Sequence, residues 1–244
     1  MSGMNEKVAI VTGGTGALGR HVVEKLCSEG FKVYVPTLTM DEFTKVFDRS
    51  DDDNVEIGIR KIFAFDCDAM NEASVVEFVN MVVVQEKGNL GYLVNTIGGI
   101  DTASNVGELT KVSLDKMLAL NFFTTFYFTT HALRVMKQNN FGRIVSVGAL
   151  AGIETSPGRF AYSVSKQAVI NFMNTISEEC KGSDIRCNTV IPGIIDTPAN
   201  REWGSEEDIK KWVKPEQVAG AIYSLMTEVW SNSRGSIVKL LGSY

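Results

Sequence analysis

The amino-terminal stretch constrains the fold of this chain more than any other. Val8-Ala9-Ile10-Val11 is an unbroken apolar run, and Thr12-Gly13-Gly14-Thr15-Gly16-Ala17-Leu18-Gly19 follows it at once, leading into the helical pattern of Val22, Val23 and Leu26. The order is strand, glycine turn, helix. Glycines let the backbone turn tightly and come close to a pyrophosphate, and the helix N-terminus beyond them offers unpaired N–H groups at the positive end of its dipole. A glycine repeat alone is weak evidence. Its place directly after a strand, with strands and helices alternating afterwards, points to a dinucleotide-binding unit rather than to a merely tight turn.

The apolar patterning predicts strands near 7–12, 32–36, 61–65, 91–96, 143–148, 185–191 and 236–241, and helices near 17–29, 72–87, 113–138, 160–181 and 215–230. Alternation of this kind predicts an α/β fold of the Rossmann type, a doubly wound domain spanning 1–244. Its seven or so strands should be parallel, with helices on both faces and right-handed crossovers. Ligands of such sheets lie at the carboxyl ends of the strands, where Gly13, Asn95, Ala149 and Pro192 should fall. A 244-residue chain that is 44% apolar has material for a substantial core.

A net charge of −5 and the lack of a basic patch with interleaved aromatics speak against nucleic acid. The acidic run at 48–53 reads as a solvated loop. Cys27, Cys67, Cys180 and Cys187 form no C-x-x-C pair and His21 and His131 are the only imidazoles, so neither a disulfide framework nor a metal site is expected. No apolar signal core opens the chain, and the longest apolar stretch, 75–84, is interrupted by Glu77 and Asn80. A cytoplasmic protein without a membrane span is the expectation.

Tyr162-Ser163-Val164-Ser165-Lys166 places a phenol and an ammonium on one helical face. By itself such a pair is more often an amphipathic feature of a surface helix than a catalytic one; beside a cation, a phenol near pKa ~10 becomes easier to ionise and a candidate proton-transfer group. Together with the glycine turn, the pair in this order resembles the short-chain dehydrogenase/reductase family, and the resemblance covers essentially the whole chain. It implies NAD(P)-dependent hydride transfer with Tyr162, Lys166 and Asn121 (in Leu120-Asn121-Phe122) as catalytic residues, the asparagine holding a proton-relay water. It implies cofactor contacts from Gly13, Thr15, Gly16, Ala17, Leu18 and Gly19, from Thr37, and from Asp66 near the adenine. Asn95 and Gly98 of Asn95-Thr96-Ile97-Gly98 would brace the sheet beside the cofactor. Asn188, Pro192, Gly193, Ile195 and Thr197 would close over the nicotinamide, with Tyr162 and Lys166 contributing to the ribose site. The family's dimer implies a homodimer, or a homotetramer built from it, through the helices near 113–138 and 160–181. Phe122, Phe123, Phe126, Tyr127, Phe128, Val169, Phe172, Met173 and Ile176 are the apolar surface expected there.

One position departs from the pattern. The family's substrate-binding serine stands thirteen residues before the tyrosine, and Ala149 occupies that place. Either the enzyme is weakened, or its substrate is a ring electron-poor enough to accept hydride without that hydrogen bond. Ser146 and Ser156 are nearby hydroxyls without a spacing argument. Dihydropteridine reductases carry a small apolar residue there. Thr155-Ser156-Pro157-Gly158-Arg159-Phe160-Ala161-Tyr162 and Asp196-Thr197-Pro198-Ala199-Asn200-Arg201 are similar to their segments. A short lid near 197–214 with Trp203 and Trp212 would cover a flat ring or anchor the loop by packing. After Val33-Tyr34-Val35-Pro36, Thr37-Leu38-Thr39 has no carboxylate to repel a 2′-phosphate, and Arg20 is expected to point into the first helix with Lys45 distant. The cofactor is therefore NADP or NAD, with NADP first. A small-molecule substrate, either quinonoid or an ordinary carbonyl or alcohol, completes the reading; the non-enzymatic alternative is a cofactor-binding member of the family.

Overall fold

The computed structural model describes residues 6–47, 61–101 and 103–243; the acidic run 48–53 lies outside them. One sheet holds seven parallel strands: β1 (Lys7–Thr12), β2 (Phe31–Thr37), β3 (Ile62–Asp66), β4 (Tyr92–Asn95), β5 (Phe141–Val147), β6 (Asp184–Pro192) and β7 (Ile237–Leu240), in the order β3-β2-β1-β4-β5-β6-β7. The order reverses at β1, which pairs with β2 on one side and β4 on the other. A crevice opens at such a reversal, outside the carboxyl ends of the strands.

Helices cover both faces. The central strands are buried on each side, as near-continuous apolar runs such as Val8-Ala9-Ile10-Val11 require. One face packs under α1 (Gly19–Ser28), α2 (Met40–Phe47) and, much later, α9 (Pro215–Met226), through Val22, Val23, Leu26, Phe47, Val218 and Ile222. The other packs under α3 (Glu72–Gln85), α5 (Thr124–Asn139) and α6 (Phe160–Glu179), through Val75, Phe78, Val82, Phe128, Met136, Val169 and Met173.

The helix expected over 113–138 is three pieces: α4 (Lys111–Met117), a π turn (Leu118–Phe123) and α5. Wider turns of this kind occur where a side chain has to be re-aimed, and this one carries Asn121. Helix α2 escapes the periodicity because its apolar signal is confined to Phe43, Val46 and Phe47. The lid region holds α7 (Pro198–Arg201) and α8 (Glu206–Lys211), each too short to show a period and each started by a hydroxyl cap, Thr197 and Ser205. Several residues expected on a dimer surface are core instead: Phe128, Val169, Met173 and Ile176 are all within 3% exposure.

Candidate active site

The glycine turn is built for close approach. Gly13 sits at φ +65°, which an L side chain resists, and its carbonyl accepts from the Gly16 N–H at 2.9 Å. A Cβ on Gly19 would lie 1.9 Å from the Gly13 oxygen, so helix α1 begins against the turn itself. Gly14 has its back to Val35 of β2, whose side chain a Cβ on Gly14 would meet at 2.8 Å. The first turn of α1 carries no side-chain cap. Beside it opens a cleft of about 440 Å³ lined by Ala17, Arg20, His21, Asp196, Thr197, Pro198, Arg201, Lys214, Pro215 and Glu216. Arg20 thus faces this cleft, its Nε–H donating to His21 Nε2 at 3.2 Å, and not the interior of its helix. Arg20, Arg201 and Lys214 were not distinguishable as site residues by sequence spacing, since they come from three separate elements.

The cleft's far wall hangs from β6. Pro192 ends that strand, the Gly193 N–H bonds the Leu240 carbonyl at 2.7 Å, and Ile195 bridges to Val213. The Asp196 carboxylate, buried, is clasped by Arg201 and Lys214, and these two cations hold it well below the usual carboxylate range. Thr197 caps α7 by accepting from the Asn200 N–H at 3.2 Å. Trp203, exposed, packs on buried Trp212 with centroids 5.1 Å apart, so the pair anchors the lid segment. Asn188 points away from this site: its Oδ1 accepts from Ser236 and Ser233 and ties β6 to the segment before β7.

Between β4 and α6 the side chains of Asn121 and Lys166 converge on Gly98. A Cβ there would meet Lys166 Nζ at 2.7 Å and Asn121 Oδ1 at 2.8 Å. The π turn brings Asn121 to this point, where Oδ1 accepts from the Gly99 N–H at 2.9 Å while Nδ2 donates to the Gly99 carbonyl and to Ser165. Its side chain is therefore fully engaged. Asn95 spans the layers beneath, donating to Thr129 at 2.9 Å and Ser146 at 3.0 Å.

Lys166, 4% exposed, donates to the Val147 carbonyl at 3.1 Å, and burial lowers its pKa to about 8. Tyr162 lies one helical turn earlier and lines a narrow pocket with Asp101, Ser104, Leu109, Ser113, Met117 and Arg159. Burial raises its phenol above the ordinary value, and the opposing charge is Arg159. The expectation that Lys166 makes this tyrosine acidic is thus corrected, because the buried ammonium is directed at Val147. Ala149, nearly buried, stands at the end of β5 before a short 3₁₀ turn, Leu150–Gly152. Neither Ser146 nor Ser156 replaces it: Ser146 is wholly buried, accepting from Asn95 and turned to the Met173 sulfur, and Ser156 is in an exposed loop. Asp66 ends β3 opposite Thr37 and is exposed. The Thr37 hydroxyl is turned inward, donating to the Thr39 carbonyl at 2.9 Å.

The model of the family described as short chain dehydrogenase matches residues 7–208. This chain belongs to the short-chain dehydrogenase/reductase family, a class of NAD(P)-dependent oxidoreductases. Among its curated relatives is the 7α-hydroxysteroid dehydrogenase of Bacteroides fragilis, 27% identical over 242 residues that cover 93% of this chain and 90% of the relative. Another is the 3-oxoacyl-acyl-carrier-protein reductase FabG of Aquifex aeolicus, 25% identical over 97% of this chain and 96% of that protein. Two solved structures share the fold: ElxO with NADP bound, at a TM-score of 0.87 and 24% identity over 97% and 98% of the two chains, and NAD⁺-bound xylitol dehydrogenase, at 0.86 and 22% over 99% and 100%. Among the described residues no helix is long and apolar enough to cross a membrane, and no group of three or more metal-ligating side chains occurs.

Proposed function

We propose that this protein uses NAD or NADP to reduce a small acceptor that needs no serine hydrogen bond, such as a quinonoid or electron-poor heteroaromatic ring. The observation that carries this reading is Ala149 at the end of β5, with Ser146 committed elsewhere and unable to stand in. A developing oxyanion at this point would lack one well-aimed donor, which an acceptor of dispersed charge tolerates better than a ketone does.

The residues fit a dinucleotide: the glycine cradle has no room for a Cβ at Gly19, and the uncapped start of α1 faces the cleft with Arg20, Arg201 and Lys214 around it. When bound, the nicotinamide supplies or takes the hydride. Gly13, Thr15, Gly16, Ala17, Leu18 and Gly19 would hold the pyrophosphate side, with Thr37 and Asp66 bordering the adenosine side. Asn95 and Gly98 would set the floor, and Pro192, Gly193, Ile195 and Thr197 the lid. Tyr162 is the acid. Its raised pKa keeps the phenol protonated at neutral pH, the state a proton donor requires in the reducing direction. Lys166 and Asn121 complete the relay: a lysine titrating near 8 exchanges protons at neutral pH, and Asn121 fixes the Gly98-Gly99 segment against it.

A second reading, reduction of ordinary carbonyls, is favoured by the names of the relatives, one a hydroxysteroid dehydrogenase and one a 3-oxoacyl reductase. Oxidation of NADH and NADPH with quinonoid dihydropterin, quinones and simple ketones, before and after Ala149→Ser, separates the two. Little gain on ketones is the expected result. Recovery of roughly 10²-fold on a simple ketone, the size one oxyanion donor contributes, overturns the quinonoid reading in favour of the second.

A symmetric assembly fits the outer aromatic surface. Phe122, Phe123, Phe126, Tyr127 and Phe172 form one contiguous cluster across the π turn, α5 and α6, with Phe123 40% exposed. A homodimer through this face would cover it.

A further inference from the structure

The end of β2 leaves the cofactor open between NAD and NADP, and the shared fold does not decide it, since the two structural neighbours hold one of each. The decision lies one element further on. Of the two hydroxyls that the sequence offers a phosphate, that of Thr37 is committed as a donor to the Thr39 carbonyl, while that of Thr39 accepts from the Glu42 N–H at 3.2 Å to start α2. From that cap Glu42 reaches back to the glycine turn. Its Oε1 accepts from the Thr15 hydroxyl at 2.6 Å, across 27 residues, so a carboxylate stands against the glycine turn. The turn itself packs on β2 through Gly14 and Val35, which places Thr15 and Glu42 together between the pyrophosphate cradle and the strand end.

Resting on the reading of this chain as a dinucleotide-dependent oxidoreductase, we infer that Glu42 is the residue that selects the cofactor and that it selects NAD. In dinucleotide folds the ribose next to the adenine lies between the glycine turn and the end of the second strand, and its 2′ substituent is read by an acidic group for NAD or a cation for NADP. Here the strand end supplies no acid, and the first turn of α2 supplies it. Glu42 Oε2 has no hydrogen-bond partner among the described residues and remains to accept from a 2′-hydroxyl. A 2′-phosphate at the same place would meet Glu42 with Asp41 beside it, and within α2 only Lys45, in the last turn, opposes them. Like charges brought together there disfavour the phosphate. This inference puts NAD before NADP, opposite to the order expected from Thr37 alone.

Calorimetric titration of the whole protein with NADH and with NADPH, which needs no substrate, tests this. The expected result is NADH bound at least tenfold tighter, with Glu42→Gln closing that gap by tenfold or more and Asp41→Asn leaving it within about twofold. NADPH bound as tightly as NADH by the unaltered protein, or a ratio that Glu42→Gln does not move, overturns the assignment while leaving the dinucleotide reading intact. An equal shift in Asp41→Asn overturns it too, assigning the effect to general charge. Binding of neither nucleotide overturns both this inference and the function on which it rests.

Discussion

Replacing Gly98 by alanine tests whether Asn121 and Lys166 form one unit. The new methyl would stand 2.7 Å from the lysine nitrogen and 2.8 Å from the asparagine oxygen, against about 3.4 Å for ordinary contact. Neither neighbour is free to retreat. Lys166 Nζ is held by the Val147 carbonyl at 3.1 Å inside a buried site, and Asn121 Oδ1 by the Gly99 N–H at 2.9 Å. Relief costs one of these bonds, and loss of a bond from a buried charged donor is worth about 1.5–3 kcal/mol. For a chain of 244 residues, at about 2–4 °C per kcal/mol, the midpoint of thermal unfolding should fall by about 3–12 °C. Turnover should fall further than stability, by roughly 10²-fold, because the displaced groups are those proposed to relay the proton. Gly99→Ala is the control, since its methyl meets only the tip of Leu120, at 3.0 Å. Calorimetry and steady-state kinetics on both variants decide the matter. If Gly98→Ala melts and turns over like the parent, or no differently from Gly99→Ala, the reasoning is wrong.

Tyr162→Phe should keep the melting temperature and cofactor affinity within error and lose roughly 10²- to 10⁴-fold in turnover; an unchanged rate in stopped-flow reduction removes the proton-donor role. Lys166 titrates near 8 when folded and near its ordinary value of 10.5 when unfolded. Between those values the unfolded chain binds more protons, so stability gains a contribution as pH rises from about 8 to 10 that Lys166→Met lacks, by up to about 3 kcal/mol over the full window. Urea unfolding of both proteins at pH 7.5 and 10 measures the difference, and parallel pH dependences contradict it. Phe123→Glu, placing a charge at the exposed edge of the aromatic cluster, should turn a dimer into monomers in sedimentation velocity; a parent protein that sediments as a monomer at micromolar concentration refutes the proposed interface.

What could be read from the chain alone was what local sequence encodes. The run Val8-Ala9-Ile10-Val11 followed by the glycines specified β1, the turn and α1, because two-sided burial and tight approach leave marks on consecutive residues. All seven strands lie within two residues of the stretches their apolar runs predicted. Tyr162 and Lys166 stood out as a pair at helical spacing, but the role expected of them, and the missing serine at Ala149, were legible only through the resemblance to the family. Tertiary structure decided how those groups are used. Only packing shows Lys166 turned to Val147 and the Tyr162 phenol raised by burial, because the sign of a pKa shift depends on what surrounds the group and not on its spacing from a partner. Only packing separates Phe128, Val169 and Met173, in the core, from Phe123 at the surface. The π turn at Leu118–Phe123 is invisible in a periodicity that runs through it, yet it delivers Asn121 to Gly99 and Ser165. Arg20, Arg201 and Lys214 line one cleft from three elements, and Glu42 reaches Thr15 across 27 residues. Such pairings are set by how strands and helices stack, and the chain records them only as residues far apart.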